Sequence, residues 1–218
     1  MSLYIATDGS AYKGKAGSGI VFYYHNENKM KSYRCELPNI EFSNTGKKVS
    51  IDVYDASENT KIHTMEFLSG NVKRPTNNRA ELFAIYTGLI LFEKFKTNME
   101  KLEKLEKLEK LEKLEKLEKL EKLEKLEKLV IITDSEYSKY IYTGGFIQGL
   151  SDEEILEKKN GDIILMTVKL FKQLSVSVGF KHVYSHKSQR DINQLSGFNY
   201  LIYTLNREAD RISSYKQY

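Results

Sequence analysis

The chain has 218 residues, of which 40% are hydrophobic, a combination that fits one ordinary domain with insertions or two small domains. Cys35 is the only cysteine, which excludes an internal disulfide and favours a reducing compartment. The net charge of +4 excludes a binder that relies on bulk positive charge, so any anionic partner must be met by local lysines and arginines. We find no signal-peptide pattern and no apolar run of membrane-spanning length, and we expect a soluble, intracellular protein of the cytoplasm or nucleus.

The first part of the chain favours strands. Residues 3 to 7 and 18 to 24 are typical of strands flanking a turn rich in Gly and Lys. Three further strand candidates follow at residues 29 to 37, 47 to 55 and 62 to 69. This order predicts an antiparallel sheet at the start of the fold.

Helices and strands alternate after this point. Residues 79 to 96 predict a helix, with Asn78 as its N-cap and one apolar face formed by Leu82, Ile85, Leu89 and Phe92. The remaining elements are a buried strand at "LVIIT" (129 to 133), helices near 136 to 143 and 162 to 174, a strand near 176 to 184 and a last helix from about 207. The pattern predicts an α/β fold, antiparallel early and parallel later.

A low-complexity repeat interrupts this pattern. Nine copies of Lys-Leu-Glu run from Lys101 and are followed by Lys128 and Leu129. The composition favours a helix, and each Glu of the repeat except the last, Glu127, has a Lys four residues later. A three-residue period moves successive leucines by about 60° around a helix, so no lasting apolar stripe forms for a coiled coil. An expanded insertion at the surface is therefore favoured over specific oligomerisation, and we expect a monomer.

Four acids lie at comparable places in these elements. Asp8 follows the strand "LYIAT", and Asp134 follows "LVIIT". If the two strands are neighbours, both carboxylates emerge at one edge of the sheet. Glu81 is predicted in the first turn of its helix, facing the sheet, and Asp210 in the first turn of the last helix. Four carboxylates that meet would repel strongly without a hard cation, and Mg²⁺ is the natural occupant.

Taken singly, most of these acids also have a structural explanation. Asp8-Gly9 is a common turn dipeptide, Asn78 and Glu81 have the spacing of a capping box, and Asp210 near a helix N-terminus suits the helix dipole. Asp134 could instead be the metal-binding acid of a nucleotide-binding fold. That fold requires a phosphate loop, and "GKAGSG" at 14 to 19 does not match one.

Four segments, in order, resemble the type 1 ribonuclease H family: "YIATDGSA", "TNNRAELFA", "VIITDSEYS" and "NREAD". The resemblance implies that Asp8, Glu81, Asp134 and Asp210 hold two Mg²⁺ ions about 4 Å apart, with Mn²⁺ as a possible substitute. "HVYSHKS" is similar to the segment that carries the family's assisting histidine, and His186 matches that position better than His182. The implied fold is a five-stranded mixed sheet, three strands antiparallel and two parallel, flanked by helices.

The chain departs from the family pattern in three places, within a single domain that we expect to span 1 to 218. Residues 38 to 70 form an enlarged strand or loop region. Residues 98 to 129 form a low-complexity, helical insertion after the first helix. Residues 187 to 205 form a long link between His186 and the last helix.

Several residues are candidates for substrate contact. Thr76, Asn77 and Asn78 resemble the family's loop that contacts backbone and bases, although capping explains either asparagine equally well. Residues 144 to 161, where some members carry a basic loop, hold more acids than lysines. Phosphate contacts are therefore expected elsewhere, and the further candidates are Gly9, Ser10, Lys13, Lys15, Lys73, Arg74 and Ser135.

The resemblance implies an endonuclease that hydrolyses the RNA strand of RNA/DNA hybrids and leaves 5′-phosphate and 3′-hydroxyl ends. Two alternatives stay open. One is a non-catalytic nucleic-acid-binding or scaffolding domain on the same fold, and the other is a related structure-specific DNA nuclease.

Overall fold

The computed structural model describes residues 2–12, 15–24, 28–37, 48–68, 76–111, 128–185 and 187–214. Seven strands in this part of the chain form one mixed sheet in the order β5-β4-β3-β2-β1-β6-β7. Their bounds are β1 Ser2–Tyr12, β2 Lys15–Tyr24, β3 Lys29–Leu37, β4 Lys48–Asp55, β5 Lys61–Leu68, β6 Lys128–Thr133 and β7 Ser177–His182. Neighbours from β5 to β1 are antiparallel, whereas β6 and β7 run parallel to β1.

The expectation of five strands is wrong, because the hairpin of β4 and β5 joins the sheet. Both strands lie within residues 38 to 70, and β4 pairs with β3 through Tyr33, Arg34 and Cys35. Ile51, Val53 and Met65 of this hairpin are buried in the same core as β2. The hairpin therefore extends the sheet and its core rather than lying apart as a loop.

Six helices are described. They are α1 Asn77–Leu111, α2 Glu136–Thr143, α3 Asp152–Leu156, α4 Gly161–Gln173, α5 Gln189–Asn193 and α6 Gly197–Ser213. Helix α1 continues into the first Lys-Leu-Glu repeats, and β6 begins at Lys128; residues 112–127 of the repeat lie outside the described residues. Within the described residues, no helix combines the length and apolar character needed to span a membrane.

The helices cover opposite faces of the sheet, because successive side chains of a strand point to opposite sides. Ile5 of β1 and Ile131 of β6 lie in the large core together with the apolar face of α1. The next residues, Ala6 and Ile132, lie in a smaller core with Ala209 of α6. The central strands β1 and β6 are therefore buried on both faces, which explains their continuous apolar runs.

Two predicted boundaries near Asp8 and Glu81 are wrong. Strand β1 continues through Asp8 to Tyr12 instead of ending at residue 7, because its whole length pairs with β2. Helix α1 begins at Asn77 and is capped by Thr76, whose Oγ1 accepts from Arg79 N at 3.3 Å, so Asn78 is not the N-cap. Glu81 consequently lies beyond the first turn.

The last helix begins ten residues earlier than predicted, at Gly197 instead of 207. The predicted long link of residues 187 to 205 is therefore largely helical, since α5 and the first half of α6 occupy it. Asp210 lies in the last turn of α6 and not in the first. Its carboxylate is thus near the negative end of the helix dipole, where it is not stabilised by the helix.

Candidate active site

The pairing of β1 with β6 aligns the first two acids. The parallel register pairs Leu3 with Leu129 and Ala6 with Ile132, and continuing it by two residues places Asp8 level with Asp134. Strand β6 ends at Thr133, so the backbone beside Asp8 is no longer covered by a neighbouring strand on that side. The end of β6 therefore opens a gap in the sheet next to Asp8.

Helix α1 carries Glu81 to this gap by lying directly against β1. A Cβ atom on Gly9 would be 2.2 Å from both Ala80 C and Glu81 N, so only glycine permits this approach. The hydroxyl of Ser18 donates to Ala80 O at 3.1 Å, and Asn77 Oδ1 accepts from the backbone of β1 at 2.8 Å. These contacts fix the first turns of α1 over the centre of the sheet.

A partly buried ion pair attaches the same turns to α4. Both terminal nitrogens of Arg79 donate to the carboxylate of Asp162, at 2.9 and 2.5 Å. The Arg79 side chain is 7% exposed and that of Asp162 is 20% exposed. This bidentate geometry orients the helix two residues before Glu81.

Helix α6 approaches the opposite face of the sheet over two glycines of β2. A Cβ atom on Gly19, the partner of Asp8, would lie 2.1 Å from Ala209 O, and one on Gly17 would lie 2.8 Å from Ser213 O. The hydroxyl of Ser213 donates to Asp8 Oδ2. Close packing thus brings the last turn of α6, which includes Asp210, to Asp8.

Three of the predicted acids converge in one cluster. Ligand oxygens of Asp8, Glu81 and Asp134 all lie within 4.8 Å of one another. Asp8 and Glu81 are buried, and Asp134 is half-buried. Asp210 lines one pocket together with Asp134, and its charge also acts on Glu81. The four predicted acids therefore face one region, although they come from four separate segments.

The environment of Glu81 is unfavourable for an ionised carboxylate. Burial, followed by repulsion from Asp8 and Asp134, raises the pKa of Glu81 to about 10, against a partial lowering by a hydrogen bond from the backbone of Gly9. Its Oε2 atom is buried and accepts no hydrogen bond from any described residue. A buried, unpartnered carboxylate oxygen facing two further carboxylates is what a cation site requires, so the donor set fits a hard, oxygen-binding ion.

The structural explanations for the single acids do not apply. Asp8 and Gly9 lie inside β1 and form no turn, since they pair with Gly19 and Ser18. Glu81 faces Asp8 and Asp134 instead of capping α1. The location of Asp210 at the C-terminal end of α6 also removes the favourable helix dipole. None of these three acids therefore has the turn, cap or helix-dipole role that would explain it singly.

The predicted substrate-contact residues differ in their surroundings, and the structure describes only some of them. Ser10 donates to Ser213 O at 2.6 Å, and Ser135 caps α2 by accepting from Ser138 N at 3.2 Å. Thr76 and Asn77 are exposed and Asn78 is half-buried at the start of α1. Lys15 belongs to β2, but its side chain is not among the described parts of the structure. Lys13, Lys73, Arg74 and His186 lie outside the described residues.

The structure places the weaker histidine candidate, His182, beside Asp134 and adds three residues that were not predicted from the sequence, Lys187, Asn206 and Arg207. His182, the last residue of β7, has its Nε2 atom 3.1 Å from the backbone oxygen of Asp134. Lys187, Asn206 and Arg207 line the pocket that contains Asp134 and Asp210. Asn206 lies four residues before Asp210, so helical spacing within "NREAD" is a signal that could have identified it.

Comparisons with known proteins returned structural matches only. No family model and no curated protein matches the chain. RNase H1 from Halobacterium salinarum NRC-1 aligns with a TM-score of 0.43 and 12% identity over 98% of this chain and 95% of that one. LC11-RNase H1, solved in complex with RNA/DNA hybrid, aligns with a TM-score of 0.42 and 16% identity over 88% and 91%.

A third match is the N-terminal RNase H domain of a Mycobacterium tuberculosis protein, with a TM-score of 0.43 and 14% identity over 98% and 96% of the two chains. These matches are all structures of RNase H proteins, and each alignment spans most of this chain. Because the identities are low and the TM-scores are below 0.5, the basis for a function is the chain's own carboxylate geometry.

Proposed function

We propose that this chain is a metal-dependent endonuclease that hydrolyses the RNA strand of RNA/DNA hybrids. The observation that carries the proposal is the convergence of Asp8, Glu81 and Asp134 within 4.8 Å, with a buried oxygen of Glu81 lacking a hydrogen-bond donor among the described residues. Keeping three carboxylates this close costs stability, and function is the reason to retain them.

Asp8, Glu81, Asp134 and Asp210 would hold the metal. All four offer only oxygen ligands, which favours Mg²⁺, with Mn²⁺ as a substitute. When bound, a pair of such ions would lower the pKa of the attacking water and stabilise the departing 3′ oxygen. Cleavage would leave 5′-phosphate and 3′-hydroxyl ends.

The chain's own residues would position the substrate and exclude alternatives. Thr76 and Asn77 are exposed at the start of α1, the helix that carries Glu81, and Asn77 is held by its hydrogen bond to β1. We assign to these residues and Asn78 the contacts that select RNA, and to the lysines and arginines of the flanking loops the phosphate contacts. His186 is assigned the assisting role.

One assay tests the proposal. Labelled RNA/DNA hybrid, duplex DNA and duplex RNA are each incubated with the full chain and Mg²⁺, in parallel with Asp134→Asn. We expect cleavage of the hybrid alone, and loss of cleavage by a factor of at least about 100 in the variant, because the removed charge is a metal ligand.

The other outcomes identify the alternatives. Hybrid binding without cleavage would identify a scaffolding domain, and cleavage of duplex DNA would identify a structure-specific DNA nuclease. Asp191→Asn, on the exposed side of α5, is the matched control and should cleave like the parent.

A further inference from the structure

A pocket lies beside the acid cluster, on its α6 side. It is formed by the segment after β7, by α5 and by α6. Asp134 and Asp210 line it, whereas Asp8 and Glu81 do not. The pocket therefore shares two acids with the proposed metal site and continues from them to α5 and α6.

Asn206 is the buried polar group that faces this pocket. The residue is 6% exposed, and its Oδ1 atom accepts no hydrogen bond from any described residue. A buried amide oxygen without a donor is costly, so the site is completed when a ligand supplies one. The ligand therefore carries a hydroxyl or amino group.

Two cations line the same pocket. Lys187 Nζ lies 5.1 Å from the ring centroid of Tyr203, and the hydroxyl of Tyr203 accepts from the backbone of Tyr184 at 3.4 Å. Arg207 is exposed on α6. Within the described residues neither cation forms an ion pair with a carboxylate, so both are available to an anion. A guanidinium and an ammonium group that line one pocket are both suited to phosphate.

An exposed aromatic ring completes the lining. Tyr184 is 72% exposed, with its ring centroid 5.7 Å from that of His182. Exposed tyrosines next to cations commonly stack on nucleobases. Phosphate, hydroxyl donor and planar base together describe one class of ligand, a nucleotide.

We propose that this pocket is a product subsite, which binds the 5′-phosphorylated ribonucleotide end that cleavage generates. Lys187 and Arg207 hold the 5′-phosphate, Asn206 Oδ1 accepts from a ribose hydroxyl, and Tyr184 packs on the base. The inference rests on the proposed function, because Asp134 and Asp210 place the pocket next to the reacting phosphate. Its consequence is product inhibition by ribonucleoside 5′-monophosphates.

Titration calorimetry on the full chain in millimolar Mg²⁺ tests this inference. The probes are adenosine 5′-monophosphate, its 2′-deoxy counterpart, adenosine and inorganic phosphate. We expect the ribonucleotide to bind at least about tenfold more tightly than each of the other three, since the deoxyribonucleotide and adenosine each lack one contact and inorganic phosphate lacks two. Tight binding of inorganic phosphate alone would overturn the inference in favour of a simple anion site.

Variants assign the contacts. Arg207→Gln should weaken binding of the ribonucleotide about tenfold. Arg190→Gln, which replaces an exposed arginine on α5 outside the pocket lining, should leave that binding unchanged. Asn206→Ala should bring the affinities of the ribonucleotide and deoxyribonucleotide together. Equal affinity in the parent and Arg207→Gln would overturn the inference whether or not Asn206→Ala folds.

Hybrid cleavage, measured on the same samples, separates the two proposals. Cleavage without ribonucleotide binding overturns the subsite and leaves the nuclease assignment intact. Ribonucleotide binding without cleavage overturns the nuclease assignment and leaves a nucleotide pocket in place.

Discussion

Burial and the nearby carboxylates both disfavour the ionised form of Glu81. Glu81 is 8% exposed, it faces two other carboxylates, and its pKa is raised to about 10. At neutral pH without a metal the side chain is therefore protonated. A divalent cation requires the ionised form, so binding of the ion and loss of the proton are linked.

This linkage gives a prediction for proton release. Binding of Mg²⁺ at pH 7 should release about one proton, because Glu81 must ionise against a pKa near 10. Titration calorimetry in buffers of different ionisation enthalpy measures the number released. Glu81→Gln should bind the ion weakly and release none. Equal proton release in the parent and the variant would show that another group ionises.

Glycines set the positions of the two helices that carry acids. Gly9 permits α1 to lie against β1, and Gly17 and Gly19 permit α6 to lie against β2. Glycine weakens a strand interior, so its use at three central positions is explained by close approach of backbone. The acid cluster depends on how closely these helices pack.

Substitution of Gly19 tests this dependence. The added methyl of Gly19→Ala would lie 2.1 Å from Ala209 O, so α6 must shift, and we expect a loss of about 2 to 3 kcal/mol in the free energy of unfolding. Gly179→Ala in β7 is the matched control, because its Cβ meets only Lys128 Cε at 3.8 Å. Urea unfolding measures both, and Mg²⁺ affinity should fall only in Gly19→Ala. Equal stability of the two variants would contradict the packing argument.

The ion pair between α1 and α4 gives a second prediction for the helices. Arg79→Met leaves Asp162 partly buried without its partner, and we expect a loss of about 3 kcal/mol in the free energy of unfolding. Lys169→Met breaks the exposed pair with Asp152 and should cost about 0.5 kcal/mol. A double-mutant cycle with Asp162→Leu separates the pair from simple loss of packing. Similar costs for Arg79→Met and Lys169→Met would refute an anchoring role.

Local pattern predicted the regular elements well and their ends near the site poorly. The prediction for β3 matches its observed bounds, as does that for α2, because apolar periodicity and flanking turn residues agree there. Asp8-Gly9-Ser10 disfavours a strand by propensity, yet pairing with β2 along its whole length overrides that preference. Helix α6 begins at Gly197 without a side-chain cap or an acid in its first turn, so no start signal marks it.

The site itself was partly predictable. The order of the acid-bearing segments indicated which carboxylates meet. Ser213, which donates to the Asp8 carboxylate, and His182, which contacts the backbone oxygen of Asp134, reach them only because α6 and β7 end near the same edge of the sheet. The capping box of Ser151 and Glu154 was a usable signal for α3 that the sequence analysis did not apply.

For the molecule as a whole, the acid cluster lies where both cores meet the sheet. Helix α1 and the large core hold Glu81 from one face, and α6 and the small core hold Asp210 from the other. Separating the carboxylates would require one helix to leave its face. The free energy of folding of the entire sheet therefore offsets the repulsion between the carboxylates. A bound cation should reduce this repulsion and so stabilise the folded chain.

The stability of the metal-free chain should consequently fall as pH rises. The pKa of Glu81 is about 10 in the folded chain and about 4.5 for an ordinary glutamate, so between these values the folded chain holds a proton that the unfolded chain has lost. This contribution is full below about pH 4.5 and disappears as pH rises through about 10, with a slope of up to about 1.4 kcal/mol per pH unit. Mg²⁺ binds the ionised form, so its stabilising effect should grow over the same range. Thermal melting in chelator and in Mg²⁺ at several pH values measures the difference in Tm. In chelator, Glu81→Gln should remove this contribution to the pH dependence of Tm. In the parent, a difference between Tm in Mg²⁺ and Tm in chelator that shrinks with rising pH would contradict the coupling of the cluster to the fold.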